Sequence, residues 1–475
     1  MALNLTWTFG FNYEIVNGVH ALSDGTRHAV FYVAAHTGVI YDYALKEQTL
    51  LQGHCNPITA VAVSEDKKWI VTADVGEDSM MVIWDSFTGI PIKTFYMPHT
   101  HGVLALDLSP DALFIATLSA CTNETTLKVN DQQEISIWEW TSENEQALYS
   151  TQVITNDIQH CIAFNPYDIR ELVTNGSQRV IFWNWNTPRL EFYAPPFVQK
   201  EFCQVVGAFT RSLFIPNSKQ AITATEDGDL ILWDALKNNE KDKKDSEILK
   251  RPVDRRAVKI IRVSGGEGTH GIAISVLTDV EGYIVVGNVD GTVRFYDADF
   301  RIVAWYEALK SGPISSISFS SSSPESHDMD TTRFTVPNFI VGTTKSYIVG
   351  VDPETFHDYT GENKCGTLLV QGMDDEVHGL ATYPKKNQIA LASYSGALQV
   401  WDYDSKRLMR VRQFNALELV PQCLECSSNG SFMAIGFTNG ALKLVDANTL
   451  DDLATFTYSS VRILKYYLKK MHLKN

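Results

Sequence analysis

Apolar and polar residues alternate in short runs along nearly the whole chain. Ile58 to Ser64, Trp69 to Ala73 and a third run leading into Trp84 are representative. A period of two places successive side chains on opposite faces of a strand, and no sustained 3.6-residue stripe occurs before Val461. The pattern predicts an all-β protein. Its runs fall into groups, and each group closes on a large apolar residue followed by Asp, Glu or Asn: Tyr41-Asp42, Trp84-Asp85, Trp138-Glu139, Trp183-Asn184, Trp233-Asp234, Tyr296-Asp297, Val351-Asp352, Trp401-Asp402 and Val445-Asp446. These nine closings stand 43 to 63 residues apart and predict nine copies of one structural unit.

The second copy, Gly53 to Asp85, is the most regular. It opens on Gly53-His54, closes on Trp84-Asp85 and carries its apolar runs between them, the signature of a WD-repeat propeller blade. His54 from the entering loop, Thr72 on the middle strand, Asp78 in the turn and Trp84 on the third strand are expected to join in one hydrogen-bond chain. Such a chain satisfies polar groups that blade stacking would otherwise bury unpaired. Its expected role is structural, and no catalytic residue is assigned.

Propellers avoid exposed sheet edges by closing about 4 to 8 blades into a circle, so nine units overshoot one ring. The expected fold is a WD-repeat β-propeller: a seven-bladed ring over residues 12–371, then two blades of an incomplete second propeller over 377–460. Polar insertions at Cys121 to Gln133, Leu236 to Arg256 and Ser321 to Arg333 account for most of the excess length. Over 461–475 the strand pattern gives way to a basic tail. Val461, Leu464, Leu468 and Met471 recur there at helical spacing, with Arg462, Lys465, Lys469, Lys470 and Lys474 around them. It reads as a substitute C-terminus or as a helix for an acidic partner.

A net charge of −16 sets the class of partner. It repels nucleic acid and anionic lipid, so protein partners are expected, with no nucleic acid and no membrane. The strands are too short to supply the ~20 apolar residues of a spanning helix. An acidic partner, tubulin included, then requires a local basic patch, and the candidate is Lys250, Arg251, Arg255, Arg256 and Lys259, extended by Arg262.

The seven cysteines are scattered except for Cys423 and Cys426, which fits reduced thiols in an intracellular protein. That C-x-x-C puts its sulfurs on opposite faces of a strand, so no metal site is assigned. Gly266 to Gly271 spells G-x-G-x-x-G, but the next run is a strand and not the helix that a dinucleotide requires, so no cofactor is assigned; His270 instead parallels His54. Asp227 stands six residues before Trp233, as Asp78 does before Trp84, and reads as a turn aspartate.

LTWTFGFNYEI at the start, LLQGHCNPITAVAVSEDKKWIVTADVGEDSMMVIWD after it, and the order of the repeats resemble the tandem-propeller WD-repeat proteins of motile cilia and flagella. The likeness is greatest to the family associated with the calmodulin- and spoke-associated complex at the base of radial spoke 3. The resemblance implies a non-enzymatic axonemal scaffold, in the cytoskeleton of a motile cilium or flagellum, with radial spoke and calmodulin-complex subunits as partners. It does not extend to the remaining blades of the second propeller or to the calcium-binding EF-hand region expected beyond them. The alternative expectation is a general WD-repeat adaptor such as a ubiquitin-ligase substrate receptor. That role usually leaves an Arg two residues after the Asp of Trp-Asp, whereas Asp85 is followed by Ser86-Phe87, Asp234 by Ala235-Leu236 and Asp402 by Tyr403-Asp404.

Overall fold

The computed structural model describes residues 4–456 except 122–131, 187–188, 198–201, 203–204, 216–217, 236–253, 264–270, 308, 310–311, 321–333 and 357–365. Most of the three polar insertions and the whole of 461–475 therefore lie outside the described residues.

Each predicted closing ends the third strand of a four-stranded antiparallel sheet, and the described residues form nine such sheets, with strands in sequence order. The second sheet shows how the pattern produces them. Its strands are Ile58–Val63, Trp69–Asp74, Met80–Asp85 and Pro91–Tyr96. The two middle strands, WIVTAD and MMVIWD, are buried almost throughout, because neighbouring sheets cover both of their faces. In the first strand, fully and partly buried positions alternate, and the fourth exposes Pro91 and Ile92 at the outer edge. Among the described residues a single helical turn, Pro353–Phe356, interrupts the all-β architecture.

By its contacts the chain divides into two compact units, Met1–Gln371 and Gly372–Asn475. Seven sheets make up the first. Apolar clusters join each sheet to the next: Leu22, Phe31, Ile70 and Trp84 between sheets one and two, Val71, Leu106 and Trp138 between two and three, Leu118, Phe164 and Trp183 between three and four. Val173, Phe182 and Trp233 continue the series between four and five, Ile222 and Ile284 between five and six, Val285 and Phe339 between six and seven. Burying each such side chain contributes about 1.5 to 3 kcal/mol.

The seventh sheet packs on the first. Ile340 and Ile348 meet Val19, Val30 and Tyr32 in one cluster. The first sheet's innermost strand is only His20–Ala21, and its flank is secured by hydrogen bonds across this seam. The Asn17 N–H donates to the Ser315 carbonyl at 2.9 Å, the Val19 N–H to Ser316 Oγ at 3.3 Å and the Ala21 N–H to Ser318 Oγ at 2.9 Å.

The second unit has two sheets, with strands running from Val377–Thr382 to Arg407–Gln413 and from Pro421–Cys426 to Asp452–Phe456. They share one core, in which Tyr383, Leu398 and Val400 oppose Leu424, Met433, Ile435 and Phe437.

Candidate functional site

The strand Trp69–Asp74 points Thr72 and Asp74 to one face, because they stand two residues apart. His54 reaches both. Its Nε2 lies 2.7 Å from Thr72 Oγ1 and its Nδ1 lies 2.7 Å from Asp74 Oδ2, while Trp84 Nε1 donates to Thr72 Oγ1 at 2.8 Å. One assignment of protons satisfies every group. The indole N–H donates to the threonine oxygen, the threonine hydroxyl donates to His54 Nε2, and His54 Nδ1–H donates to the Asp74 carboxylate. The second Asp74 oxygen accepts from the Met80 N–H at 2.9 Å, which pins the start of the third strand. His54, Thr72 and Asp74 are all buried.

Asp78 is not in this chain. The sequence spacing favoured it, but it sits exposed in the hairpin at φ 53°, beyond the end of the second strand, and Asp74 at that strand's last position is the acid that faces His54. Gly102, at φ 91°, lets the loop entering the third sheet lie close: a Cβ there would stand 2.4 Å from the Asp74 carbonyl.

The third sheet repeats the arrangement with a glutamate. His99 Nε2 lies 2.8 Å from Thr117 Oγ1, Trp138 Nε1 donates to the same oxygen at 2.9 Å, and His99 Nδ1 lies 3.1 Å from Glu134 Oε2. Hydrogen bonds from His99 and Ser150 hold the Glu134 carboxyl below its ordinary value. In the fourth sheet Gln159 replaces the histidine: Thr174 donates to Gln159 Oε1 at 2.9 Å, and Trp183 donates to Thr174 at 3.0 Å. In the fifth, Trp233 donates to Thr223 at 2.9 Å, with Ser212 beside it at 2.7 Å. The sequence carried a signal for these repeats that spacing from the tryptophan alone missed: His and Thr stand 18 residues apart in both the second and the third sheet.

Among the described residues, the basic stretch is divided between buried and exposed positions. Lys250 and Arg251 lie outside the described residues. Arg255, placed by its sequence in a solvated insertion, is instead the first residue of the strand Arg255–Arg262 and is only 2% exposed. Its guanidinium pairs with Glu171 of the fourth sheet at 3.0 Å and lies over the rings of Phe182 and Phe214, so it joins the fourth and fifth sheets. Arg262 pairs with buried Asp229 at 3.0 Å.

Arg256 and Lys259 remain exposed, and a bulge turns them the same way. Arg256 opposes Asp234 and Lys259 opposes Leu232, two positions apart on the neighbouring strand, with Val258 as the extra residue. The exposed basic face therefore contains Arg256 and Lys259.

The inner strands of the first unit line a cavity of about 520 Å³, with Glu65, Asp107, Asp279, His20, His160 and Arg211 among its residues. Asp107 Oδ2 accepts from the Phe164 N–H at 2.8 Å, and burial pushes its carboxyl up to about 6. Burial also lowers His20 to about 3, reinforced by Lys67 and Arg211, which keeps its ring neutral.

Of the G-x-G-x-x-G stretch, Gly266 to His270 fall outside the described residues; Gly271 is followed by the strand Ile274–Val280. Asp227 lies in the turn between the strands Ala221–Thr225 and Asp229–Ala235. Cys423 pairs across to Gly436 and Cys426 to Met433, so the two face opposite sides of their sheet, and burial raises the Cys426 thiol to about 11.

The model of the CFAP251 N-terminal domain family matches residues 3–356. Over 471 residues the chain is 38% identical to cilia- and flagella-associated protein 251 of Chlamydomonas reinhardtii, covering 95% of this chain and 56% of that protein. It is 35% identical to the protein of the same name from Tetrahymena thermophila, covering 94% of this chain and 46% of that one. The chain thus spans about half the length of these relatives. Echinoderm microtubule-associated protein-like 4 of Mus musculus is 21% identical, over 96% of this chain and 42% of its own length. Among solved structures, the beta-propeller domain of Myceliophteria thermophila Cps50 (Swd1) aligns at a TM-score of 0.38 and 13% identity, over 80% of this chain and 93% of that one; the fold rests on the sheets themselves.

Proposed function

We propose that this chain, which belongs to the CFAP251 N-terminal domain family, is a non-enzymatic scaffold of motile cilia and flagella that links the base of radial spoke 3 to the doublet microtubule. The observation that carries this reading is the family match over residues 3–356, joined by relatives named as cilia- and flagella-associated proteins. We read Met1–Gln371 as a seven-bladed propeller, because its seventh sheet packs on its first, and Gly372 to Phe456 as two blades of a second ring. The buried His, Thr, Asp and Trp groups fit this reading, since they bond to one another and fix the loops to the sheets. A microtubule-associated protein among the more distant relatives supports contact with the cytoskeleton. Arg256 and Lys259, with Lys250 and Arg251, are the basic residues that we assign to an acidic protein surface.

Immunoprecipitation from ciliated cells followed by mass spectrometry tests this reading. Spoke-base and calmodulin-complex subunits are the expected captures. Recovery of a cullin adaptor in their place overturns the reading in favour of a ubiquitin-ligase substrate receptor. For the basic face, Arg256→Glu with Lys259→Glu should weaken cosedimentation with microtubules at low salt and leave the fold intact. Unchanged cosedimentation removes these two residues from the interface.

A further inference from the structure

The fifth sheet turns a basic margin, and the sixth an apolar one, towards the core that joins them. These margins are the strands Arg255–Arg262 and Ile302–Tyr306, each the last of its sheet. Register settles which side chains line them. Leu230 and Leu232 of the fifth sheet belong to the shared core, and their cross-strand partners are Ile261 and Lys259; Arg256, opposite Asp234, stands on the same face. Tyr296 of the sixth sheet belongs to that core too. Its partner is Ile302, and Arg294, two positions earlier, opposes Trp305. A bulge at Val303 brings Ile302 and Trp305 to one face, as the bulge at Val258 does for Arg256 and Lys259.

The first strands of the two sheets, Phe209–Phe214 and Ile274–Val280, pack together. Radially stacked sheets diverge outward from such contacts, so the last strands bound a groove. Its floor is fixed where Arg294 Nη1 and the Tyr296 hydroxyl donate to the Val263 carbonyl at 3.2 and 2.7 Å. On the apolar wall Trp305 is 52% exposed and Ile302 48%, whereas the other tryptophans are buried or half-buried. On the basic wall neither Arg256 nor Lys259 has an ion-pair partner among the described residues. Asp234 instead accepts from Gln220 at 3.1 Å.

We propose, building on the assignment of Arg256 and Lys259 to an acidic protein surface, that this groove takes an extended partner segment in which acidic and large apolar residues alternate. Its carboxylates meet Arg256 and Lys259, and its apolar side chains cover Trp305 and Ile302. Successive side chains of an extended segment point to opposite sides, so they reach the two walls in turn. The walls are in step for this. Lys259 stands one residue past its bulge, while Ile302 and Trp305 stand one before and two past theirs, so Lys259 falls between them along the groove. An exposed indole flanked by cations suits such an anchor, because aromatic rings supply much contact area for little lost side-chain freedom.

The probe is a fluorescein-labelled peptide of about eight residues, the length of Arg255–Arg262, alternating glutamate with phenylalanine. Its binding to the full 475-residue chain is read by fluorescence anisotropy at low salt. Trp305→Ala should weaken binding about tenfold and Trp305→Phe by less. A counterpart with serine at each phenylalanine should bind the parent about tenfold more weakly, and Trp305→Ala should leave that weaker binding unchanged. Arg256→Glu with Lys259→Glu should abolish binding of both peptides. Ile302→Ser, a smaller change on the same wall, repeats the test should Trp305→Ala disturb the sheet. Equal binding of the two peptides, or parent-like binding by Trp305→Ala and Ile302→Ser, overturns the proposal. Such a result leaves the scaffold reading in place when immunoprecipitation still recovers spoke-base subunits; capture of a cullin adaptor overturns that reading whatever the peptides do.

Discussion

The two units solve one packing problem with different numbers of neighbours. In the first, seven sheets share seven apolar clusters, so every sheet is covered on both faces. In the second, the two sheets formed by the described residues share a single cluster. The polar devices differ in the same sense. The second and third sheets tie their entering loops to the core through His, Thr and Trp, whereas in the eighth Trp401 donates to Gln399 of its own strand at 2.9 Å. The second unit relies instead on arginines along its outer strand: Arg410 donates to the Asn448 carbonyl at 2.9 Å and Arg412 pairs with Asp452 at 2.8 Å. In stacked repeats, stability is a sum of unit terms and interface terms, so the unit with fewer interfaces per sheet should yield first.

The sharpest test of that contrast is Phe437→Ala, which opens a cavity in the shared core and should cost the second unit about 3 to 5 kcal/mol. Hydrogen exchange should show its strands opening while those of the first unit keep their protection; loss of protection in both would mean that the units unfold together. Arg255→Ala should have a comparable effect on the first unit, about 3 to 5 kcal/mol, by leaving the Glu171 carboxylate in a buried setting without its counter-charge. Its neighbour Arg256, replaced by Ala, should stay within about 0.5 kcal/mol of the parent by denaturant titration.

Asp74→Ala should cost about 1 to 3 kcal/mol, because it strands the His54 donor and the Met80 N–H. Asp78→Asn, at a turn position that tolerates asparagine, should melt with the parent; the reverse ranking in a thermal scan would restore the turn acid to the chain. The smallest effect is on pH dependence. A carboxyl held near 6 when folded and at 3.8 when unfolded adds no cost below about pH 4, and its cost grows as the pH rises through about 6. Asp107→Asn keeps an acceptor for the Phe164 N–H, so it should match the parent at about pH 4 and be the more stable of the two at about pH 8. A constant difference across that range would remove Asp107 as the source.

Much of the architecture is legible in the residues. Alternation with period two produces strands wherever it occurs, and the nine closings mark nine third strands because each sets an apolar or aromatic side chain before a polar residue at the strand's end. His54, Thr72 and Trp84 are legible for a related reason: their types and order recur, and a buried hydroxyl between an indole and an imidazole leaves little choice of partners. Alternation assigns residues to faces only relative to their own strand. It does not say which acid in a hairpin reaches the histidine, and the end of a strand at Asp74 decided that in favour of Asp74 over Asp78. It places Arg256 and Lys259 on opposite faces, until the bulge at Val258 brings them together. Nor does a run of basic residues reveal that Arg255 finds a carboxylate 84 positions away, or that the backbone at Val19 and Ala21 meets serines 297 positions on. The sequence determined the strands and their turns because those follow from neighbours along the chain; partners, burial and the meeting of the seventh sheet with the first were decided by the tertiary structure, because they depend on distances that exist only once the sheets are stacked.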